Sequence, residues 1–304
     1  MAADTAIALK PTPMMDFVAL TKPRITWLIL MSTGIGFFLG LEDRTGTGAW
    51  NWAELLIFVY TVIGTALIAS GTAALNQWFE READGKMRRT EGRPLPAKKL
   101  TPRAALLFGI GLAAIGFAGL ALFVNLLSGL LGLFTLSAYL FVYTPLKQRT
   151  SLSTVVGALP GAVPPLIGFA AASGHLNLQA WSLFAILFLW QFPHFLAIAW
   201  MYREDYARAG ILMLPVVEPD GESTSRQIVA YASTLIPISL LPTLLGMTGR
   251  VYLVGALLLG GWFLSAGVRV AFNRTLVNAR KVLLVSVIYL PLMYGLMILD
   301  HARL

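Results

Sequence analysis

The sequence lacks cysteine and has little charge. With no Cys among its 304 residues, it can form no disulfide framework, thiolate metal site or thiol nucleophile. Only 12% of the residues are charged and 57% are apolar, whereas soluble proteins carry about 25% charged and about 45–50% apolar residues. This composition excludes an ordinary soluble domain and predicts a membrane protein.

Long apolar runs alternate with short polar segments along the chain. Nine spans of about 20 residues would use about 180 residues and leave only loops between them. The pattern predicts an all-α polytopic membrane protein with a single domain over residues 1–304, of which 1–20 form a flexible cytoplasmic N-terminus. The predicted spans are 24–41, 53–78, 103–124, 126–144, 152–172, 181–202, 228–246, 251–271 and 281–299.

The positive charge is distributed unevenly between the two sides. The net charge is +8, and 20 of the 23 Lys and Arg residues lie in the N-terminal segment or near the loops after the even-numbered spans. Lys and Arg in short loops stay on the cytoplasmic side of a membrane. We therefore predict a cytoplasmic N-terminus and a C-terminus on the opposite side. The basic charge is then a topology signal, and we expect no nucleic-acid partner.

A polar stripe closes the second span. Asn76, Glu80 and Asp84 recur every four residues, so a continuing helix places them on one face. Their oxygen atoms are hard ligands of the kind that Mg²⁺ prefers together with substrate phosphates. Cations that match phosphate oxygens follow at once: Lys86, Arg88, Arg89 and Arg93. A solvated helix end with mixed charges is the alternative interpretation.

The sixth span ends in a second acidic group at an equivalent position. Glu204 and Asp205 are interleaved there with Arg203 and Arg208. Spans 2 and 6 run in the same direction, which suggests two four-helix halves plus a ninth helix. Both acidic groups then face the same side, where a metal and a phosphorylated head could bind while an apolar tail lies among the helices. These are the features of a prenyl diphosphate.

One histidine, His194, lies inside a predicted span. It precedes Tyr202 by eight residues, which is about 12 Å along a helix. A continuous helix would also place it on the same face as Asp205, because a separation of eleven residues makes close to a whole number of helical turns. A hydrogen-bonded packing residue is the alternative interpretation of this His.

Four motifs in chain order resemble one known family. They are NQWFERE with the basic run that follows it, YTPLK, GALPGAVPPLIG and PHFLAIAW. The sequence resembles the intramembrane prenyltransferases of the UbiA type, and within them the branch that farnesylates heme. The resemblance implies Mg²⁺-dependent transfer of a farnesyl group from farnesyl diphosphate to a vinyl group of heme b, giving heme O. It also implies a bacterial inner membrane location, with heme A synthase or terminal oxidase assembly factors as protein partners.

The same resemblance assigns roles to individual residues. Asn76, Glu80 and Asp84 match the first motif that binds the Mg²⁺-diphosphate, and Asp205 matches the second motif. Tyr143 and Lys147 belong to the YTPLK element, and His194 is assigned to the heme side. Residues expected to contact substrate are Arg24, Lys86, Arg88, Arg93 and Arg203.

Departures from the family pattern leave two rival functions open. Met201 stands four residues before Asp205, where a paired acid is expected, and Glu204 or Arg203 are the candidate replacements. The first rival is prenyl transfer to a small aromatic acceptor such as 4-hydroxybenzoate, which would need no imidazole. The second is a non-enzymatic heme carrier or transporter, which should concentrate its polar groups near the midplane of the membrane.

Overall fold

The computed structural model describes residues 13–46 and 49–301, and these ranges are almost entirely helical. They contain no strand, only an isolated bridge between Thr248 and His301. Nine helices in these ranges are long and apolar enough to cross a membrane, as the sequence predicts. Spans 1 to 9 are Pro23–Thr45, Trp52–Phe79, Pro102–Phe123, Leu126–Leu146, Ser153–Ser173, Leu178–Met201, Glu222–Leu244, Arg250–Phe272 and Leu276–Leu299.

The boundaries agree with the prediction to within a few residues, except at the starts of spans 7 and 9. Span 7 begins at Glu222 and span 9 at Leu276, each five or six residues earlier than predicted. Residues 222–227 are all polar, and residues 276–280 include Asn278 and Arg280, which interrupt the apolar run of span 9; both extensions still form helix. In span 9 the Thr275 side chain caps this start by accepting from the backbone N–H of Asn278.

Three spans are interrupted along their length. Span 4 contains a π-helical turn at Ala138–Tyr143 between α-helices Leu126–Ser137 and Thr144–Leu146. Span 5 divides into Ser153–Gly161 and Pro164–Ser173, and span 7 into Glu222–Ser239 and Leu241–Leu244. The prolines Pro160 and Pro164 account for the break in span 5, since neither can donate a backbone hydrogen bond. Short helices outside the spans are Pro13–Leu20, Arg81–Asp84, Arg203–Arg208 and Leu214–Val217.

The predicted flexible N-terminus lies partly outside the described residues. Residues 1–12 are in that undescribed part. Pro13–Leu20 instead form a helix that packs on the bundle, with Leu20 fully buried. Gln77 of span 2 donates to the Leu20 carbonyl at 2.9 Å, and this contact holds the entry to span 1 against span 2.

Glycines bring the central helices together. Span 1 packs along span 5, where a Cβ on Gly36 or Gly168 would overlap a backbone carbonyl of the other helix. Small residues at helix crossings allow this close approach in membranes. Span 2 packs on span 3, and span 3 packs on span 4. In the second half, span 6 packs on span 7 and span 7 packs on span 8 in the same way. The arrangement fits two four-helix halves, with span 9 packed on spans 6 and 8.

The orientation predicted from charge can be tested with single cysteines, because the chain has no native Cys. Lys99 and His175 are both exposed and lie in loops at opposite ends of the bundle. In intact cells that express the protein, a membrane-impermeant maleimide should label His175→Cys, and should label Lys99→Cys only after the membrane that holds the protein is opened. The reverse pattern would contradict a cytoplasmic N-terminus.

Candidate active site

A polar cavity of about 140 Å³ lies at the end of the bundle where spans 2 and 6 finish. We call this end the motif side. Its polar and aromatic lining comes from the N-terminal entry, the end of span 2 with its following loop, the end of span 4, and span 6 with the loop after it. The lining residues used below are Lys22, Asn76, Glu80, Asp84, Arg89, Arg93, Tyr139, Tyr143, Lys147, Phe195 and Tyr206.

The end of span 2 keeps its polar stripe on one side despite a break. The α-helix ends at Phe79, and Glu80 leaves helical geometry before the short helix Arg81–Asp84. The backbone N–H of Glu80 still donates to the backbone carbonyl of Asn76 at 2.9 Å. The backbone N–H of Asp84 donates to the backbone carbonyl of Glu80 at 2.8 Å. Because this helical hydrogen-bond spacing continues through the break, all three side chains line the same cavity.

Asn76 and Glu80 join two lysines from distant segments. Lys22 Nζ donates to Asn76 Oδ1 at 3.1 Å, and Asn76 Nδ2 donates to Glu80 Oε2 at 2.9 Å. Lys147 Nζ donates to the other carboxylate oxygen, Glu80 Oε1, at 2.8 Å. The result is a chain of hydrogen bonds from the start of span 1 to the end of span 4.

The two aspartates of the predicted site each face an arginine. Arg93 Nη1 donates to both carboxylate oxygens of Asp84, at 2.8 and 2.7 Å, and Asp84 is almost completely buried. Asp205 forms an ion pair with Arg208 and accepts from the backbone N–H of Arg89 at 3.3 Å. Asp205 therefore ties the loop after span 2 to the loop after span 6, beside the cavity.

Arg89, one of the cations in the basic run after span 2, lines the cavity although the family resemblance assigned it no role. Its guanidinium lies over the rings of Tyr202 and Tyr206, 4.8 and 5.6 Å from their centroids. Arg89 Nη2 also donates to the Tyr206 hydroxyl at 3.2 Å. Stacking of this kind fixes a planar guanidinium and leaves its other N–H groups available to an anion.

The titrating groups of the cavity influence one another. Burial alone would raise the pKa of Glu80, but the charges of Lys147 and Lys22 and the hydrogen bonds from Lys147 and Asn76 hold it below its usual value. Burial, and then the charge of Arg93, lowers the pKa of Lys22 to about 7, although Glu80 opposes this. An anion bound beside Lys22 would restore its charge, so this end of the cavity favours a negatively charged ligand.

Two tyrosines of the π-helical turn flank the Lys147 ammonium. Lys147 Nζ lies 4.5 Å from the ring centroid of Tyr143 and 5.9 Å from that of Tyr139. The same two rings meet edge to face at 4.9 Å. The π-faces of this pair present negative potential inside the cavity and can stabilise a cation there.

Several predicted substrate contacts lie outside the cavity lining. Arg24, Lys86 and Arg88 are exposed. Arg203 turns back to donate to the Trp200 carbonyl at 2.9 Å and lies over the Trp200 ring. Glu204 is exposed, so neither candidate replacement for the missing paired acid faces the cavity.

Lys22 takes the position in the cavity that the family resemblance assigned to Arg24. The two cations flank Pro23 in the TKPRIT segment, and Pro23 starts span 1. The segment itself indicated that a cation enters the site. It did not indicate which one, since the apolar residues of span 1 cover every face of the helix.

His194 is not among the residues that line the cavity, but the next residue in the chain, Phe195, is. Its Nδ1 is 2.8 Å from Ser286 Oγ on span 9. The α-helix of span 6 ends at Met201 and a new one starts at Arg203. The backbone N–H of Tyr202 still donates to the Ile198 carbonyl and that of Tyr206 to the Tyr202 carbonyl, both at 3.0 Å, so the helical hydrogen-bond spacing continues through this break. The shared face of His194 and Asp205 stays a prediction.

The donor set determines whether a metal ion could bind. Within residues 13–46 and 49–301, no group of three or more His, Asp or Glu side chains is close enough to hold a metal by itself. Asn76, Glu80 and Asp84 nevertheless present amide and carboxylate oxygens to one cavity beside several cations. This donor set fits Mg²⁺ that is held by one or two carboxylates, with substrate phosphates and water completing its coordination.

Comparisons with other sequences agree on one family. Residues 29–290 match the UbiA prenyltransferase family. A relative from Solibacter usitatus, named protoheme IX farnesyltransferase, is 65% identical over 96% of this chain and 100% of its own length. A relative of the same name from Salinibacter ruber is 43% identical over 94% of this chain and 98% of its own.

Solved structures share the fold at low sequence identity. A digeranylgeranylglyceryl phosphate synthase structure gives a TM-score of 0.75 at 18% identity, over 95% of this chain and 98% of that chain. A structure of a UbiA homologue from Archaeoglobus fulgidus, bound to GPP and Mg²⁺, gives a TM-score of 0.63 at 15% identity, over 93% of this chain and 99% of that chain. These likenesses support the helical architecture independently of the sequence relatives.

Proposed function

The chain belongs to the UbiA prenyltransferase family, and from that premise we propose that it transfers a farnesyl group from farnesyl diphosphate to a vinyl group of heme b, giving heme O. The observation that carries this proposal is the 65% identity, over nearly the whole chain, to a protein named protoheme IX farnesyltransferase. The protein is a membrane-embedded prenyltransferase, and its acceptor, its donor and its metal are the parts that we propose.

The charges of the cavity support a diphosphate as the anionic end of the donor. Lys22, Arg89, Arg93 and Lys147 all line it, against the two carboxylates Glu80 and Asp84. The excess of cations favours a ligand with several negative charges. Each carboxylate already pairs with a cation, so a diphosphate can take over Lys147 and Arg93 and free carboxylate oxygens.

Those freed oxygens are the proposed metal ligands. Asn76, Glu80 and Asp84 would hold Mg²⁺ against the diphosphate, with Asp205 at the edge of the same site. When bound, the metal would neutralise the charge that builds on the diphosphate as it leaves. Charge stabilisation of this kind is usually the largest contribution to catalysis.

The residues of this chain would divide the remaining work. Lys22, Lys147, Arg89 and Arg93 stabilise the leaving diphosphate while its bond to the allylic carbon breaks. Tyr139 and Tyr143 then face the cationic farnesyl carbon with their rings. The heme vinyl group forms the new carbon–carbon bond, and water adds to the resulting cation and loses a proton, so that heme O and diphosphate are the products.

The rival functions have less support. A transporter should carry its polar groups near mid-membrane, whereas this cavity lies at one end of the bundle. A small aromatic acceptor would leave the partly buried His194 without a use in the reaction. We also propose an inner-membrane location and heme A synthase or terminal oxidase assembly factors as partners for the product.

The proposed function can be tested with the purified protein in nanodiscs. Incubation with heme b, farnesyl diphosphate and Mg²⁺ should give a pigment heavier than heme b by a farnesyl group and a hydroxyl group, measured by mass spectrometry. Replacing heme b by 4-hydroxybenzoate should give no prenylated product. Prenylation of the benzoate in place of the heme would contradict the proposed acceptor.

A further inference from the structure

His194 is fixed in the bundle by a serine from another span. Ser286 of span 9 is fully buried, and its Oγ lies 2.8 Å from His194 Nδ1. Trp190, one turn earlier on span 6, donates from Nε1 to the Ser286 carbonyl at 2.8 Å. The Trp190 ring stacks on the imidazole, with centroids 4.9 Å apart and planes 25° apart. Span 9 therefore sets both the position and the plane of the His194 ring.

The hydrogen bonds around Ser286 select one form of the imidazole. Ser286 Oγ donates to the Leu283 carbonyl at 2.7 Å. A carbonyl can only accept, and a hydroxyl has one proton to give. Both contacts of Ser286 Oγ can form together only if His194 donates from Nδ1. The neutral imidazole then carries its proton on Nδ1, and Nε2 keeps a free lone pair.

The free nitrogen lies where a ligand could reach it. Within the described part of the chain, Nε2 of His194 has no hydrogen-bond partner, and the side chain is partly exposed. Phe195 lines the polar cavity, and its ring meets the imidazole edge to face with the two ring centroids 5.4 Å apart. A neutral imidazole nitrogen at such a position is a common ligand of iron in porphyrins.

We propose that Ser286 is a positioning residue that holds His194 in the Nδ1–H form, so that Nε2 binds the iron of the acceptor porphyrin. This inference rests on the proposed function, in which an iron porphyrin is the acceptor. Metal-binding histidines generally donate their other N–H to a fixed partner, which sets the tautomer and strengthens the ligand. A buried serine hydroxyl on a neighbouring helix supplies that partner here.

The test compares heme binding in three variants of the full-length protein in nanodiscs. His194→Ala should abolish the imidazole-type Soret band of bound heme b. Ser286→Ala should shift that band and weaken heme binding about 10- to 100-fold, the usual effect of removing such a partner. Farnesyl diphosphate affinity, measured without heme, should stay unchanged in both variants. The double variant should bind heme no more weakly than His194→Ala alone, because both changes remove the same interaction.

Ser32 provides a matched control. It is also a buried serine in a span, donates to the Leu28 carbonyl, and accepts from the Tyr294 hydroxyl at 3.0 Å. Ser32→Ala removes the same kind of hydrogen bond without touching His194, so the heme spectrum should stay as in the wild type. Ser286→Ala with a lowered melting temperature but a wild-type heme spectrum would overturn the positioning role and leave Ser286 as a packing residue.

The experiment separates this inference from the proposed function. If wild-type protein farnesylates heme while His194→Ala keeps the wild-type Soret band, iron ligation by His194 is overturned and the proposed function stands. If wild-type protein forms no farnesylated heme, the proposed function fails, and the inference that depends on it fails too. Restoration of the Soret band by added imidazole in His194→Gly would support ligation through this position.

Discussion

Replacing Asp84 by Asn is expected to lower kcat/KM by at least about 100-fold, which corresponds to about 2.7 kcal/mol of transition-state stabilisation. Asp84 is almost completely buried, lines the cavity and accepts two hydrogen bonds from Arg93. The substitution removes the charge that would hold the metal against the diphosphate. Asp205→Asn should have an effect of similar size, because it removes the carboxylate at the edge of the same site.

The readout that identifies a metal role is the effect of Mg²⁺ on farnesyl diphosphate affinity. Mg²⁺ should strengthen binding to the wild type and have little effect on Asp84→Asn. Glu82→Gln is the matched control, because Glu82 lies on the same short helix with its side chain 85% exposed. Its kcat/KM should stay within about threefold of the wild type. Full activity of the wild type in EDTA, or of both aspartate variants, would contradict the metal role.

Replacing Lys22 by Met is expected to lower kcat/KM by roughly 30-fold, or about 2 kcal/mol, the lower range for removing one partner of a buried charged contact. The Lys22 ammonium lies in the cavity and bonds to Asn76. The substitution keeps an unbranched side chain that is only one atom shorter and removes its charge. Most of the loss should appear as weaker binding of farnesyl diphosphate.

Arg24→Met tests the same segment at the position outside the cavity. Arg24 is exposed and does not line the site, so its kcat/KM should change by less than about threefold. Equal losses in the two variants would mean that the start of span 1 rotates when substrate binds. A larger loss in Arg24→Met would assign the contact to Arg24, as the family resemblance implies.

The nine spans were predictable because crossing a membrane requires a long apolar helix, whatever lies around it. The shared face of the polar residues that end span 2 was predictable from the sequence as well. Asn76, Glu80 and Asp84 terminate an apolar run, and their four-residue spacing is enough to place them on one face of a helix. That face survives the break at Glu80 because the backbone hydrogen bonds continue through it.

The rotation of each helix was not predictable from hydropathy. In spans 3 and 5, 18-residue stretches have mean hydropathies of 2.3 and 1.7, yet 22% of the stretch in span 3 and 78% of the stretch in span 5 is buried in the bundle. Lipid and protein interior are both apolar, so a helix can face either with the same residues. For this reason the sequence could not distinguish Lys22 from Arg24 as the cation that faces the cavity.

The membrane class, the nine spans and the family could be inferred from the sequence, because length, apolar runs and local motifs carry that information. The pairing of cations with carboxylates, the stacking of Arg89 on Tyr206 and the serine that holds His194 became visible only in the folded bundle. Ser286 lies 92 residues from its histidine. Such partners are chosen by the packing of distant helices, and no local pattern of residues records that choice.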